Sequence, residues 1–408
     1  MRDVFIAGVG MTPFGVHADK TTGDLSREAA TNALRDAGAD PSQLDAVFFA
    51  NTSQGGLEGQ HGIRGQHALR PLGIEGAPLW NIENACVGSS SALNLAFGQI
   101  AGGLADVVLV VGAEKLHSPD RERRLAIFAQ PDDLHQVRAF VAANEAEIAG
   151  IGPEVPTDGA RSIFMDFYAL NTKLHMKRYG TTMEHLAIVS AKNHHASTMN
   201  PLAHYQKDFT VAEVLASRMV SWPLTLPMCA PVTDGASAAV ICSREGLDRL
   251  RAASPVRILA SAMCGGVIRA IDDVERAATR RAAKLAFAQA GLGPQDIHVA
   301  EVHDASAFGE INQVELTGLC AIGEGGAFAA DGASAIGGRL PVNPSGGLQS
   351  KGHPIAASGL AQIHELVLQL RGDAAGRQTP NARHALASCS GGFYGVEEAA
   401  ACVTILAA

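Results

Sequence analysis

The chain has 408 residues, 47% hydrophobic and 18% charged, so it carries enough apolar surface for a large core and is not disordered in bulk. A net charge of −9 without a long basic run disfavours a nucleic-acid surface, and no apolar run is long enough for a membrane-spanning helix. The length calls for two or three compact units.

The seven cysteines, at positions 86, 229, 242, 264, 320, 389 and 402, are odd in number and form no Cys-x-x-Cys pair. Reduced thiols in a cytoplasmic protein fit this pattern better than a disulfide framework, and zinc-type spacing is absent. His194-His195 has no ligand partner at a suitable spacing, so no metal is expected. Arg121-Glu122-Arg123-Arg124 reads as a solvated helix face rather than an anion site.

In chain order, Val4-Phe5-Ile6-Ala7 reads as an opening strand, too short for a secretory leader. A helix with apolar residues at i, i+3 and i+4 runs through Ala30, Ala33, Leu34 and Ala37 and stops at Gly38. A turn at Pro41 and a strand over Val47–Ala50 follow. Cys86-Val87-Gly88 then leads into a helix with Ala92, Ala96, Ile100 and Leu104 on one side, and a strand over Val107–Val111 comes next. A thiol at a helix N-terminus faces unpaired N–H groups and the positive end of the dipole, which favours thiolate.

Much of this order recurs in the second half. Val256-Arg257-Ile258-Leu259 repeats the opening strand, and Ala286, Phe287, Ala290, Gly291 and Pro294 repeat the helix, its stop and its turn. The strand Val299–Val302 ends in His303. His353-Pro354-Ile355 repeats the position of Cys86-Val87-Gly88, with Ser358 falling where Ser91 stands. Its helix carries Ala356, Ile363, Val367 and Leu370, and a strand over His384–Ser388 leads to Cys389. Strands alternating with helices imply α/β layers. The segment 116–243 has no counterpart; it is richer in His, Met, aromatics and charge, and reads as an insertion that shapes the substrate site.

The most specific motif is Asn343-Pro344-Ser345-Gly346-Gly347-Leu348-Gln349-Ser350-Lys351-Gly352-His353-Pro354. Its glycines permit a tight backbone path and a sharp turn into a helix, which fixes His353 as a base. His303 stands at the carboxyl end of a strand, where α/β sites are lined. Cys389 enters the turn Ser390-Gly391-Gly392, whose N–H groups are available to an oxyanion.

Taken together, the motifs around Cys86, His303, His353 and Cys389 resemble the thiolase superfamily over essentially the whole chain. They are most similar to the sterol-carrier-protein-type branch, which has His-Asp-Cys-Phe where this chain reads His303-Asp304-Ala305-Ser306. His175-Met176-Lys177-Arg178-Tyr179-Gly180-Thr181, Lys192-Asn193-His194 through Asn200-Pro201, and Thr233-Asp234-Gly235-Ala236 also look like that branch.

The resemblance implies an α/β thiolase fold: two pseudo-repeated βαβαβαββ halves in a five-layer α-β-α-β-α sandwich with an inserted loop domain. On this chain the N-terminal half is 1–115, with 220–250 returning to it; the insertion is 116–243 and the C-terminal half 255–408. It further implies that Cys86 is the acylated nucleophile, His353 its base, Cys389 the second acid/base and His303 the orienter of a water or the thioester oxygen. Backbone N–H groups of Cys86 and Gly391 would form an oxyanion hole for the acyl-enzyme.

The implied activity is acyl-CoA C-acyltransfer: thiolytic cleavage of a 3-oxoacyl-CoA, as in fatty acid β-oxidation, or the reverse condensation. Coenzyme A is the co-substrate, no cofactor is bound permanently, and the chain is expected to form a homodimer or homotetramer; a small partner protein is left open. The alternatives are a retro-aldol lyase and a non-catalytic acyl-CoA or lipid-carrier subunit of a complex. Two departures bear on substrate choice. Ala356 stands where the family has Gly, adding a methyl expected to narrow the acyl site, and Ser306 replaces a Phe, which is expected to open or rehydrate the pocket near His303.

Overall fold

The structure is a computed structural model describing residues 2–120, 122, 123, 127, 131–153 and 162–408. The described residues form eleven strands: β1 Val4–Met11, β2 Ala46–Ala50, β3 Leu79–Ile82, β4 Val107–Glu114, β5 Met219–Ser221, β6 Leu224–Thr225, β7 Gly235–Cys242, β8 Val256–Gly265, β9 Val299–Val302, β10 His384–Gly391 and β11 Ala400–Ala407. Nine of them make one mixed sheet in the order β3-β2-β4-β7-β1-β8-β11-β10-β9, and β5 and β6 form a separate hairpin.

The sheet is two similar halves joined edge to edge, with β1 pairing antiparallel to β8 over Val4–Ile6 and Val256–Ile258. The central strands β4 and β7 are buried along their full length. That suits their near-continuous apolar sequences, which have a packed layer on each face.

The layers follow from the packing. Helix Thr22–Ala37 covers the outer face of the first half through Leu25, Ala29, Ala33 and Ala37. Helix Ala278–Ala290 does the same for the second half through Ala282, Ala283 and Ala286. Helices Gly88–Ala101 and Ser358–Arg371 lie between the two half-sheets, where Leu93, Ile100, Leu360, Ile363 and Val367 pack with side chains from both. Five layers result, α-β-α-β-α, as the family resemblance implied.

The internal repeat is visible in local geometry. The outer helices both end at a left-handed glycine, Gly38 at φ 60° and Gly291 at φ 69°. Pro41 and Pro294 each open a 3₁₀ turn before the next strand. One member of the repeat is reduced: the strand expected to lie beyond β9 is present as a single bridge between Ala300 and Val342. The preceding stretch, Asp331 to Gly338, is made of Gly, Ala and Ser with one Asp and one Ile, and so has little tendency to extend and pair.

Between β4 and β7 stand the helices Pro131–Ile148, Ile163–Tyr179, Met183–Ser197 and Val211–Ala216 and the β5–β6 hairpin. Their aromatic side chains pack toward the second half, with Phe164 and Phe167 at 4.7 and 4.6 Å from the Phe393 ring centroid. Phe393 follows the Cys389 turn, so these helices form one wall beside that turn.

A buried ion pair braces the loop that delivers His353. Lys351 Nζ lies 3.1 Å from Glu301 Oε2, and both side chains are almost fully enclosed. Lys351→Met is expected to lower unfolding stability by ~3–5 kcal/mol, because it leaves the Glu301 carboxylate buried without its counter-charge. Urea unfolding of the two proteins measures this; a change within ~0.5 kcal/mol would mean that the pair does not brace the loop.

Candidate active site

Two helices of equivalent position bring the first pair of reactive groups together. The Ser89 Oγ accepts the Leu360 N–H at 3.0 Å, which sets the starts of Gly88–Ala101 and Ser358–Arg371 side by side. Cys86 sits on the 3₁₀ turn Ala85–Val87 that feeds the first helix, and His353 stands just before the equivalent turn Ile355–Ala357. His353 Nε2 lies 3.3 Å from Cys86 Sγ, and its Nδ1 lies 2.7 Å from Ser358 Oγ. Ser358 thereby fixes the ring and leaves Nε2 to face the thiol.

The glycine loop holds the histidine from behind. Asp304, next to His303, accepts the Leu348 N–H at 2.7 Å and the Gln349 amide at 2.9 Å. A Cβ on Gly347 would come within 2.1 Å of the Asp304 carboxylate, so only glycine allows this approach. Asn343 accepts the Val302 N–H at 2.8 Å and donates to Glu310 at 2.8 Å, tying the start of the loop to β9.

The other two groups arrive on neighbouring parallel strands, β9 and β10, paired through Val302 and Ser388. His303 and Cys389 follow those two residues directly. Cys389 Sγ lies 3.8 Å from His303 Nδ1 and donates to the Cys86 carbonyl at 3.3 Å. The His303 and His353 rings stand nearly perpendicular, 5.2 Å apart. The four side chains singled out in the sequence therefore line one small space.

Family models match on both sides of that space. The model for the thiolase N-terminal domain covers residues 4–213, and the thiolase C-terminal domain-like model covers 260–407. The chain belongs to the thiolase family. It is 36% identical to an acetyl-CoA acetyltransferase of Methanothermobacter thermautotrophicus, over 97% of this chain and 98% of that protein. It is 34% identical to human sterol carrier protein 2, over 95% of this chain and 69% of that one. The solved Ltp2-ChsH2(DUF35) aldolase is similar in structure, with a TM-score of 0.77 and 25% identity, over 100% of this chain and 98% of that chain.

In this thiolase the resting electrostatics differ from the helix-dipole expectation. Burial pushes the Cys86 thiol up to about 12, the nearby Glu114 and Glu83 charges push the same way, and the N–H groups of Cys86 and Gly392 only partly oppose them. Cys86 stands on a 3₁₀ turn ahead of the helix proper, and loss of solvent outweighs the amides that face it. Burial and the neighbouring His303 hold His353 well below the usual imidazole range. Both shifts favour the uncharged forms, a thiol facing an imidazole. Burial likewise raises the Cys389 thiol.

Burial lowers His303 to about 4. The unfolded chain, with an ordinary imidazole near ~6.5, takes up a proton that the folded chain refuses until about pH 4. This residue therefore makes stability fall as pH drops from ~6.5 toward ~4, by up to ~3 kcal/mol. His303→Asn is expected to remove that component, so the difference in melting temperature between variant and parent should change sharply across the window. A constant difference would show that His303 does not titrate this way.

Some parts of the site went unmarked in the sequence reading. Ser358 matches Ser91 in the repeat, which was a signal of position and not of role. Glu114, fully buried at the end of β4, accepts from Asn51 Nδ2, the Thr52 and Ser53 N–H groups, the Ser53 hydroxyl and the Ala356 N–H. An acidic residue closing an otherwise apolar strand was its only trace. Of the two turn glycines that the sequence did mark, Gly392 supplies the second amide that meets the Cys86 thiol, while Gly391 packs directly on it: a Cβ there would lie 2.6 Å from the Cys86 nitrogen.

The two departures are both buried. The Ala356 methyl is 1% exposed and packs beside Gly88 in the core rather than into open space. The Ser306 side chain is fully buried and caps helix Ala307–Leu316 by accepting the Gly309 N–H at 3.2 Å, so its hydroxyl is turned to the backbone.

Beyond the catalytic space, His194 bonds Ser350 and the Pro227 carbonyl while His195 meets Asp208 at the surface, so the adjacent histidines point apart. Of the Arg121–Arg124 run, Arg121 and Arg124 lie outside the described residues and Glu122 and Arg123 are exposed. Among the described residues no helix is long and apolar enough to cross a membrane.

Proposed function

We propose that this thiolase is an acyl-CoA C-acyltransferase that cleaves a 3-oxoacyl-CoA with coenzyme A, or runs the reverse condensation, through an acyl-Cys86 intermediate. The observation carrying this reading is the 3.3 Å approach of His353 Nε2 to Cys86 Sγ, with the Cys389 thiol bonded to the Cys86 carbonyl on the other side.

In the cleavage direction, His353 Nε2 takes the Cys86 proton as Sγ bonds to the substrate C3 carbonyl carbon. The C2–C3 bond breaks and its electron pair leaves as the enolate of acetyl-CoA. The Cys389 thiol protonates that carbanion and becomes thiolate. Coenzyme A then gives its thiol proton to Cys389 and attacks the acyl carbon, and Cys86 leaves and recovers its proton from His353. Each half-reaction uses one base and one acid on opposite sides of the acyl carbon. The N–H groups of Cys86 and of the Gly391-Gly392 turn are the donors for the oxyanion.

Residues 116–243 are assigned to the acyl group. Tyr168 in this segment lines a cleft with Phe167, His175 and Phe308, and burial holds its hydroxyl well above the usual phenol range. Seven unpaired thiols suit a reducing cytoplasm.

The test is turnover. Purified protein given acetoacetyl-CoA, and separately a longer 3-oxoacyl-CoA, should turn over each repeatedly only when coenzyme A is present, and the ratio of kcat/KM sets chain length. A second reading is favoured by the aldolase neighbour: retro-aldol cleavage with a partner subunit. Cleavage of a 3-hydroxyacyl-CoA without coenzyme A, and none of the 3-oxo compound, would replace the first reading with the second.

A further inference from the structure

The side chains assigned to acyl transfer also form a compact set of soft donors. Cys86, His303 and His353 each place one donor atom within 4.8 Å of the other two. The Sγ–Nε2 distance between Cys86 and His353 is 3.3 Å. A tetrahedral zinc centre, with Zn–N of ~2.0–2.1 Å and Zn–S of ~2.3 Å, needs donors roughly 3.3–3.6 Å apart. One edge of that polyhedron is therefore already present, and the others close by about an ångström of side-chain rotation. Cys389 Sγ, 3.8 Å from His303 Nδ1, donates to the Cys86 carbonyl and is not one of the three clustered donors, so the fourth position falls to solvent.

The surroundings match a metal site in two further ways. Ser358 holds the remote nitrogen of His353 at 2.7 Å, the kind of outer contact that orients a ligating imidazole. The three clustered donors are one sulfur and two nitrogens without a carboxylate, a set that selects zinc or cadmium over magnesium or calcium.

We propose that Cys86, His303 and His353, with solvent at the open side, bind a thiophilic divalent cation reversibly, and that the bound ion shuts the enzyme off by occupying the nucleophile. Binding exchanges the Cys86 S–H bond for an S–metal bond and releases the proton to solvent, with no change of oxidation state. A thiolate held in this way has no free electron pair aimed at a thioester or ketone, and the imidazole that would have accepted its proton is itself ligated. The inference rests on the donor geometry and is independent of which acyl reaction the site performs.

The experiment uses the full chain, reduced and freed of metal with EDTA, titrated with cobalt(II) and then displaced by zinc(II). One cobalt per chain is expected, with a near-ultraviolet thiolate-to-cobalt charge-transfer band that zinc removes. Parent protein alkylated at Cys86 with iodoacetamide should show no band; this control needs no variant to fold. Ser358→Ala, which releases the His353 ring, is expected to weaken binding by roughly 10–100-fold. Where substrate turnover is measurable, zinc should abolish it and EDTA should restore it. Absence of the band at one equivalent, or a band that survives alkylation of Cys86, would overturn the proposal. Failure of acyl transfer with the band intact would instead count against the proposed reaction and leave the metal site standing.

Discussion

Cys86→Ala is expected to lower 3-oxoacyl-CoA cleavage on the order of 10⁶-fold while the protein remains folded. No other group in the site can form the acyl intermediate in its place: Cys389 Sγ is turned to the Cys86 carbonyl and His303, not to His353. The substitution removes one sulfur beside the core and leaves the Ala85–Val87 turn and the Ser89–Leu360 link untouched, so the melting temperature should stay within a few degrees of the parent. Steady-state rates and a thermal melt on the same preparation check both halves. Retention of more than about one part in 10³ of the activity, well above what such a loss permits, would remove Cys86 from the nucleophile's role.

Cys389→Ala should separate the two kinds of acyl transfer. Its thiol is assigned to the carbon that leaves or attacks, so carbon–carbon cleavage and condensation are expected to fall by ~10²–10⁴-fold, the usual worth of a placed acid/base. Exchange of an acyl group between an acyl-CoA and labelled coenzyme A breaks only carbon–sulfur bonds and has a good leaving group, so it should fall much less. Comparing the two rates in the variant reads the role directly. Equal losses would mean that Cys389 supports Cys86 through packing and the 3.3 Å hydrogen bond, and does not handle the proton at carbon.

The site was legible in the sequence to the extent that the chain repeats itself. Cys86 and His353 occupy matching positions in two copies of one unit, and the fold places matching positions side by side, at the starts of the paired central helices. His303 and Cys389 were legible because residues following adjacent parallel strands in an α/β sheet open on the same side.

What could not be read depends on contacts between distant segments. Glu114 gathers donors from residues 51–53 and from Ala356, a set that exists only once β2, β4 and the His353 turn are assembled. The dipole argument for an acidic Cys86 failed for the same reason: local sequence shows the amides, while burial and the Glu114 charge arrive with the tertiary structure. Ala356 and Ser306 were expected to reshape the pocket because their neighbours were unknown; one methyl faces Gly88 and one hydroxyl caps a helix. The missing strand beyond β9 was masked by the strength of the repeat around it, since Val342 keeps its bridge to Ala300 while the small residues before it do not extend.

The most direct test is the intact mass of the chain after a brief incubation with acetoacetyl-CoA in the absence of coenzyme A. The account predicts one added acetyl group, carried on the peptide containing Cys86, discharged by coenzyme A and absent from Cys86→Ala. Turnover of the same substrate with no adduct at any time, or an adduct that persists in Cys86→Ala, would contradict it.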